Sequence, residues 1–404
     1  MLDKDQIKSA LNQSSAPARV YLDWNATTPL RHEVFEAMRP FFEERFGNAA
    51  SLHVHGQQAQ AALEQARTAV AASLHCTPAE IAFTSGGTES DNLALRGLAW
   101  GLRVAQPDAP PPTLIASGIE HSAVRETLRA LGAQGFPLVS LSAGSDGRVR
   151  VEDFAQALER ATPSRAVVSL MLANNETGVI QPVAEVAALC QKRAVPLHVD
   201  AVQAAGKLAL DLRALGCATL ALSAHKFEGP KGCGALYVRA GTRLEPHQTG
   251  GTHEAGLRGG TVNLPSIVGL AEALRLAERE RAETSARLSS LQAEFERELL
   301  TLFPRAVVHG AEVARLPNTS FISFPGIEGS RLAMALDLAG ISVSTGSACS
   351  SGTTKPSPVL EAMQLPAELV NSAVRFSYGR TTPRDALQKT LAQASECLRQ
   401  LMKL

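Results

Sequence analysis

The stretch CATLALSAHKFEGPKG, residues 217–232, joins an apolar run to a histidine and a lysine. The run has the length and composition of a buried strand, and His225 and Lys226 stand where it stops. A lysine beside a strand end usually forms a structural ion pair, but in a desolvated site a lowered pKa makes it a nucleophilic amine. His225 alone is more typical of a core histidine. The stretch therefore predicts a buried strand and leaves two functions open for the lysine.

Six other short apolar runs resemble this one. They are EIAFTSG (80–86), PTLIASG (112–118), FPLVSLS (136–142), RAVVSLMLAN (165–174), VPLHVDA (195–201) and GALYVRA (234–240). Amphipathic segments of helical periodicity separate most of them. Near-continuous apolar runs separated by helices are typical of a parallel or mostly parallel sheet covered on both faces. We therefore predict an α/β domain with a mostly parallel seven-stranded sheet.

A second domain is expected after this sheet. Residues 266–303 have helical apolar spacing and many charges, which predicts one long helix or two in series. NTSFISFPG (318–326), ISVSTGSA (341–348) and SAVRFSYG (372–379) supply new strands, and a last helix follows Pro383. We predict a large α/β domain over 21–265 and a smaller α+β domain over 266–404 that includes 1–20.

Composition excludes several classes of function. The 404 residues include 39 basic and 39 acidic ones, so charge favours neither nucleic acid nor an acidic membrane as a partner. The six cysteines form no CxxC pair or other metal-ligand spacing, so no metal is expected. The first twenty residues lack the apolar core of a signal peptide, and no run of about 18 apolar residues occurs. We expect a cytoplasmic protein.

Polar residues follow several of the predicted strands. The segments are TSGGTES (84–90), SGIEHSAV (117–124), LANNETG (172–178), HVDAVQ (198–203) and SAHK (223–226). In parallel α/β sheets, ligands bind outside the carboxyl ends of the strands. These segments are therefore the candidates for a binding site.

Three of these segments suggest one ligand. Ser85–Thr88 lies between a strand and a helix, where backbone N–H groups bind an anion, although a plain capped turn has the same pattern. Asp200 ends a buried strand and requires a partner, either a helix cap, a core cation or a protonated heteroaromatic nitrogen. With Lys226 as a nucleophilic amine, the ligand carries a phosphate, a basic ring nitrogen and an aldehyde. Pyridoxal phosphate has all three groups.

The chain also resembles a known family in its motifs. The motifs, in order, are YLDWNATTP, FTSGGTESDNLAL, EHSAV, NNETG, HVDAVQ, SAHKFEGPKG, HEAGLRGGT, STGSACSSG and VRFSYGR, from about Tyr21 to Arg380. They resemble those of cysteine desulfurases serving iron–sulfur cluster assembly, in the class V aminotransferase group of fold-type I pyridoxal-phosphate enzymes. Two departures, FGNAAS (46–51) and Val202, touch none of the implied chemistry.

The resemblance implies a role for each matching residue. Lys226 would bind the cofactor covalently and move the Cα proton, while His121 would stack on the ring and assist proton transfer. Asp200 would pair with the ring nitrogen and Gln203 with the phenolic oxygen. The phosphate would be bound by Gly87, Thr88, Ser223 and His225, and by Thr261 of the neighbouring subunit in a homodimer. Asn175 and Arg375 would take the substrate carboxylate.

The resemblance also singles out Cys349. A lone cysteine is usually a small buried hydrophobe, but STGSACSSGTTKPS (344–357) is polar and rich in Gly, Ser and Thr, as in an exposed loop. Its thiolate would take sulfur from L-cysteine, giving L-alanine and a persulfide for an acceptor protein. Cys76, Cys190, Cys217, Cys233 and Cys397 lie in helical or strand patterns and are predicted to be structural.

Two alternatives remain open at the level of sequence. One is a selenocysteine lyase or related C–S β-lyase on the same scaffold, because a cysteine in the loop does not exclude selenium. The other is an inactive scaffold protein without cofactor. Lys226, Asp200, His121 and Cys349 occurring together argue against the second alternative.

Overall fold

The computed structural model describes residues 19–346 and 356–402. Within these ranges the strands are β1 (Val20–Tyr21), β2 (Ile81–Thr84), β3 (Thr113–Ser117), β4 (Leu138–Leu141), β5 (Ala166–Ser169), β6 (Leu197–Asp200), β7 (Thr219–Ser223), β8 (Gly234–Val238), β9 (Val307–Val308), β10 (Thr319–Ser323), β11 (Ile341–Ser342) and β12 (Ala373–Ser377).

The α-helices of the same ranges are α1 (His32–Met38), α2 (Pro40–Glu43), α3 (Val54–Ser73), α4 (Gly87–Ala105), α5 (Ser122–Gly132), α6 (Val151–Arg160), α7 (Val183–Lys192), α8 (Leu212–Leu215), α9 (Leu264–Leu302), α10 (Gly329–Leu338), α11 (Pro358–Ala362), α12 (Ala367–Asn371) and α13 (Arg384–Leu401). Short 3₁₀ turns occupy Pro78–Glu80, Ala224–Lys226 and Glu254–Gly256. In the described part of the chain, no helix is long and apolar enough to span a membrane.

The central sheet has seven strands in the order β2-β8-β7-β6-β5-β3-β4. Strand β8 runs antiparallel to both of its neighbours, and the other paired strands are parallel. Each of the seven apolar runs in the sequence forms one of these strands, so the predicted fold is confirmed.

Both faces of this sheet are covered, which explains its continuous apolar runs. Successive side chains of a strand point to opposite faces. Accordingly, Leu114 and Ala116 of β3 pack in a cluster with α4 and α5, while Ile115 packs in a larger cluster on the other face. The larger cluster includes residues of α3, α6, α7 and the first half of α9.

Helix α9 connects this core to a second one. It begins at Leu264, where the Asn263 side chain accepts a hydrogen bond from the Ser266 N–H at 3.3 Å. Leu270 packs in the larger sheet cluster, whereas Phe295 packs in a separate cluster formed with β10, β12, α10 and α13. The predicted helix over 266–303 is thus a single one. The division into domains at residue 265 stays a prediction.

Candidate active site

A cavity of about 460 Å³ lies at the carboxyl edge of the central sheet. The predicted site residues that line it are Gly87, Thr88, His121, Asn175, Asp200, Gln203, Ser223, His225, Lys226 and Arg375. All of them except Arg375, which lies on β12, come together because β2, β3, β5, β6 and β7 run in parallel and end at the same edge. Thr261 is exposed and does not line the cavity. Cys349 lies outside the described residues.

The turn before α4 forms a cradle suited to an anion. Gly86, the N-cap of this 19-residue helix, contributes no side-chain cap, so the first N–H groups remain available to a ligand. A Cβ atom on Gly87 would lie 2.7 Å from Val202 Cγ2, so any larger residue would have to displace the Val202 side chain. Glu89 in the first turn is neutralised by Arg258, whose Nε donates to Glu89 Oε1 at 3.0 Å. The cradle therefore fits a phosphate group.

Lys226 lies in the 3₁₀ turn that follows β7. Its Nζ donates to the carbonyl oxygens of Asn25 at 2.6 Å and Ala26 at 2.9 Å. The amine is therefore held at the cavity wall, where an aldehyde carbon of a bound ligand can be attached.

Asp200, the last residue of β6, is buried at the cavity wall. Its Oδ1 accepts the N–H of Val202 at 2.9 Å. Burial raises the pKa of Asp200, and the hydrogen bond from Val202 and the positive charge of Lys226 oppose that shift. A protonated ring nitrogen would add a cation beside this carboxyl group, so the residues present fit pyridoxal phosphate.

His121 is fixed by the helix that follows it. Its Nδ1 accepts the N–H of Ala123 at 3.2 Å as the N-cap of α5. An accepting Nδ1 leaves Nε2 as the nitrogen that carries the hydrogen in the neutral ring. The imidazole is therefore held in one orientation at the cavity wall.

Arg375, on β12, lies across the cavity from the central sheet and is 2% exposed. Its Nη2 pairs with Asp23 Oδ1 at 2.7 Å and its Nη1 donates to the carbonyl oxygen of Asn175 at 2.8 Å. Its buried Nε has no hydrogen-bond partner among the described residues. A guanidinium fixed in this way is suited to a carboxylate ligand.

Asn25 is a site residue that the sequence reasoning missed. Its carbonyl oxygen accepts from both Lys226 and Gln203, the latter at 2.9 Å. Its side-chain amide donates to the carbonyl oxygen of Asn175 at 3.1 Å and to Thr319 Oγ1 at 2.8 Å. The motif YLDWNATTP contains this residue, but no spacing in the sequence indicates its partners.

Two buried carboxyl groups that line the cavity were also missed. Glu120 Oε1 accepts from the Ser117 hydroxyl at 2.5 Å and the Met171 N–H at 3.0 Å, and burial raises its pKa to about 7. Asp91 lies 3.1 Å from Nε2 of His198, and burial raises its pKa well above the usual range. Clusters of titratable groups with perturbed pKa values are typical of functional sites.

Glu176, in the NNETG motif, is a third missed carboxyl group. Its Oε2 accepts a hydrogen bond from the Ser357 hydroxyl, and a Cβ atom on Gly346 would lie 2.6 Å from the same oxygen. Gly346 and Ser357 lie on either side of the segment that carries Cys349. A buried carboxyl group at the cavity wall therefore contacts the chain on both sides of that segment.

Comparison with known proteins gives concordant matches. Residues 20–389 match the family model Aminotransferase class-V. Cysteine desulfurase IscS of Dictyoglomus turgidum is 41% identical over 372 residues, which is 92% of this chain and 92% of that protein. Cysteine desulfurase NifS of Azotobacter vinelandii is 41% identical over 389 residues, 95% of this chain and 94% of that protein.

Solved structures agree with the sequence matches. A NifS-like protein superimposes with a TM-score of 0.87 at 36% identity, covering 95% of this chain and all of the other. A structure of SspA in complex with cysteine superimposes with a TM-score of 0.76 at 32% identity, over 89% of this chain and 98% of the other. The resemblance seen in the sequence motifs is confirmed.

Proposed function

The chain belongs to the aminotransferase class-V family and, within it, to the cysteine desulfurases, and we propose that it moves sulfur from L-cysteine to Cys349 with pyridoxal phosphate held at Lys226. The observation that carries this proposal is the convergence of a phosphate cradle, a buried carboxyl group and an anchored lysine on one cavity. When bound, pyridoxal phosphate supplies a carbonyl group for the substrate amine and a ring that withdraws electrons from the substrate Cα.

The chain's own residues divide the remaining work. Asp200 keeps a positive charge on the ring nitrogen, because a buried carboxylate is stabilised by an adjacent cation. Lys226 Nζ removes the proton from the substrate Cα, and His121 assists that transfer. Arg375 and Asn175 orient the substrate carboxylate, the first through its fixed guanidinium.

Sulfur transfer itself falls to Cys349. Its thiolate attacks the sulfur of the bound cysteine, so that a sulfur–sulfur bond forms and the carbon–sulfur bond breaks. The electron pair of the broken bond stays with the carbon fragment, which is protonated and released as L-alanine. The persulfide on Cys349 then passes to an acceptor protein. That acceptor, iron–sulfur cluster assembly as its pathway, and a cytoplasmic location are parts of this proposal.

A homodimer with shared sites belongs to the same proposal. Thr261 is exposed and lies seven residues after Glu254, which pairs with Arg67 of the same subunit at 2.8 Å. Large apolar side chains are exposed nearer the N-terminus, among them Phe42 at 59%, Phe46 at 68% and Leu52 at 92%. An exposed apolar surface of this kind is typical of a subunit interface. These features support a partner subunit whose phosphate site Thr261 completes.

The proposal is tested by replacing Cys349 with alanine. Release of L-alanine from L-cysteine should fall by orders of magnitude, because the sulfur nucleophile is lost while Lys226 and Asp200 are unchanged. The visible absorbance of bound pyridoxal phosphate should persist. Cys76→Ala is the matched control, because burial raises the pKa of Cys76 to about 12 and keeps it a thiol.

Two outcomes would contradict the proposal. If the Cys349→Ala protein released alanine at the parent rate, the enzyme would be a β-lyase that forms no protein persulfide. If the parent protein acquired no visible absorbance with pyridoxal phosphate, the assignment of the cofactor would be wrong.

A further inference from the structure

The side-chain amide of Gln203 is held between two partners. Its Nε2 donates to the carbonyl oxygen of Asn25 at 2.9 Å, and its Oε1 accepts from Lys207 Nζ at 3.2 Å. Lys207 Nζ also donates to the backbone carbonyl oxygen of Gln203 at 2.9 Å. Gln203 is 5% exposed and lines the cavity. Lys207 therefore donates hydrogen bonds to both the backbone and the side chain of one cavity residue, Gln203.

These contacts are compatible with only one orientation of the amide. A reversed amide would bring Oε1 against the Asn25 carbonyl oxygen and turn the NH₂ group toward the Lys207 amine. The first contact pairs two acceptors, and the second loses the acceptor that Lys207 now has. An amine has at least two hydrogens in either protonation state, so Lys207 donates to Gln203 whether charged or neutral. The observed orientation places the NH₂ group beside Asn25, which lines the cavity together with Gln203.

We propose that Lys207 is a positioning residue, which fixes the Gln203 amide so that its second N–H is presented to the bound cofactor. This inference rests on the proposed function, in which Gln203 donates to the phenolic oxygen of pyridoxal phosphate. Lys207 itself does not line the main cavity. It acts on the cofactor through Gln203.

The surroundings of Lys207 support this role over an ion-pair role. A second cavity, of about 70 Å³, lies beside it. The charged and titratable groups that line this cavity with Lys207 are Arg31, Lys226, Glu228, Glu280, Tyr378 and Arg380. The two acids are each held by an arginine, Glu280 by Arg31 at 2.7 and 2.9 Å and Glu228 by Arg380 at 2.9 and 3.2 Å.

The other charged groups that act on the Lys207 amine are cations. Burial lowers the pKa of Lys207 to about 7, and the positive charges of Lys226 and Arg375 act in the same direction. Burying a lysine among cations lowers the stability of the fold, so we expect this residue to have a task in the site. Within the described part of the chain, both hydrogen bonds that the Lys207 amine donates go to Gln203, which indicates what that task is.

The experiment measures the absorbance of bound pyridoxal phosphate against pH, without substrate. We define the midpoint as the pH at which half of the absorbance change has occurred. Lys207→Met should raise this midpoint by about one pH unit, because Gln203 is then less well oriented to donate to the phenolate, and the proton affinity of the phenolate rises. Lys207→Arg should restore part of the shift. Lys231→Met is the matched control, since it removes an exposed positive charge that also acts on the site residue His225.

A double variant separates positioning from a direct charge effect. If Lys207 acts through Gln203, adding Lys207→Met to Gln203→Leu should move the midpoint much less than Lys207→Met does alone. Equal shifts in the two backgrounds would overturn the inference, and so would a shift no larger than that of Lys231→Met. Lys207→Gln serves the same comparison if Lys207→Met does not fold.

The proposed function fails in a different way. A parent protein without a visible band would overturn the cofactor assignment and this inference together. A parent protein with the band, but with additive shifts in the double variant, would overturn the inference alone.

Discussion

The sheet edge and the second core bury carboxyl groups in opposite ways. In the second core, Glu296 accepts from both terminal nitrogens of Arg315 at 2.9 Å each and from the Ser320 hydroxyl at 2.6 Å. At the sheet edge, the donors to Glu120 among the described residues are neutral ones, the Ser117 hydroxyl and the Met171 N–H. The Arg315 guanidinium therefore offsets the desolvation of the Glu296 carboxylate, whereas no arginine does the same for Glu120 among the described residues.

The difference separates residues that serve the fold from residues that serve the site. A paired buried carboxylate is stable in its charged form. A buried carboxyl group without an arginine partner has a raised pKa, as Glu120, Asp91 and Asp200 all do, and a cation placed beside it stabilises its charged form. We infer that carboxyl groups at the sheet edge are arranged for a bound ligand.

The largest expected effect is that of Asp200→Asn. The amide keeps the hydrogen bond from the Val202 N–H but cannot hold a positive charge on the ring nitrogen, so L-alanine release should fall by orders of magnitude. The free energy of unfolding of the apoprotein should stay level or rise, because a buried charge is removed. Activity assays and urea denaturation measure the two quantities.

Asp211→Asn makes the same chemical change on an exposed helix cap and should alter neither quantity. If Asp200→Asn lost activity only in proportion to lost folded protein, the carboxyl group at the sheet edge would serve the fold after all.

The sequence predicted the strands and the site for one reason. Apolar runs without polar alternation reveal strands buried on both faces, and parallel strands bring the residues after them to one edge. Asp200 and Lys226 were identifiable because each lies at or just after the end of such a run. The strand order and the reversed direction of β8 depend on contacts between distant segments, which no local pattern encodes.

The missed residues share a different property. Asn25 acts through its backbone carbonyl oxygen, and its amide contacts residues about 150 and 294 positions away. Lys207 contacts Gln203 four residues before it, but nothing in the sequence shows that this lysine is held inside the protein. Side chains whose role depends on burial cannot be recognised from residue type alone. The role of Cys349 stays a prediction, since it lies outside the described residues.

The second prediction concerns the paired carboxyl group of the second core. Glu296→Gln leaves the Arg315 guanidinium without a charged partner, so the free energy of unfolding should fall by about 3–5 kcal/mol. Activity per folded molecule should not change, because Glu296 does not line the site cavity. Urea denaturation and the L-alanine assay measure these quantities.

A double variant gives the control for this pair. Glu296→Met with Arg315→Met removes both charges and should recover most of the lost stability. A Glu296→Gln protein as stable as the parent would show that the pairing does not compensate burial, and the comparison between the two regions would lose its basis.

The smallest expected effect is a change in how stability depends on pH, caused by Glu120→Gln. Between pH 4.5 and about 7, Glu120 is protonated in the folded protein and ionised in the unfolded chain, because burial raises its pKa from 4.5 to about 7. Unfolding therefore releases a proton, and rising pH favours the unfolded chain. This one group should cost about 3 kcal/mol of stability across that window.

Glutamine does not titrate, so the variant should lack this loss while keeping an acceptor for the Ser117 hydroxyl and the Met171 N–H. The apoprotein with Glu120→Gln should match or fall slightly below the parent at pH 5 and exceed it at pH 8. Buried histidines such as His198 add the opposite slope, but they add it equally to both proteins, so the difference between the two curves isolates Glu120. Urea denaturation of both apoproteins at several pH values measures that difference. Parallel curves would mean that Glu120 is ionised in the folded protein, and its carboxyl group would then belong with Glu296 rather than with Asp200.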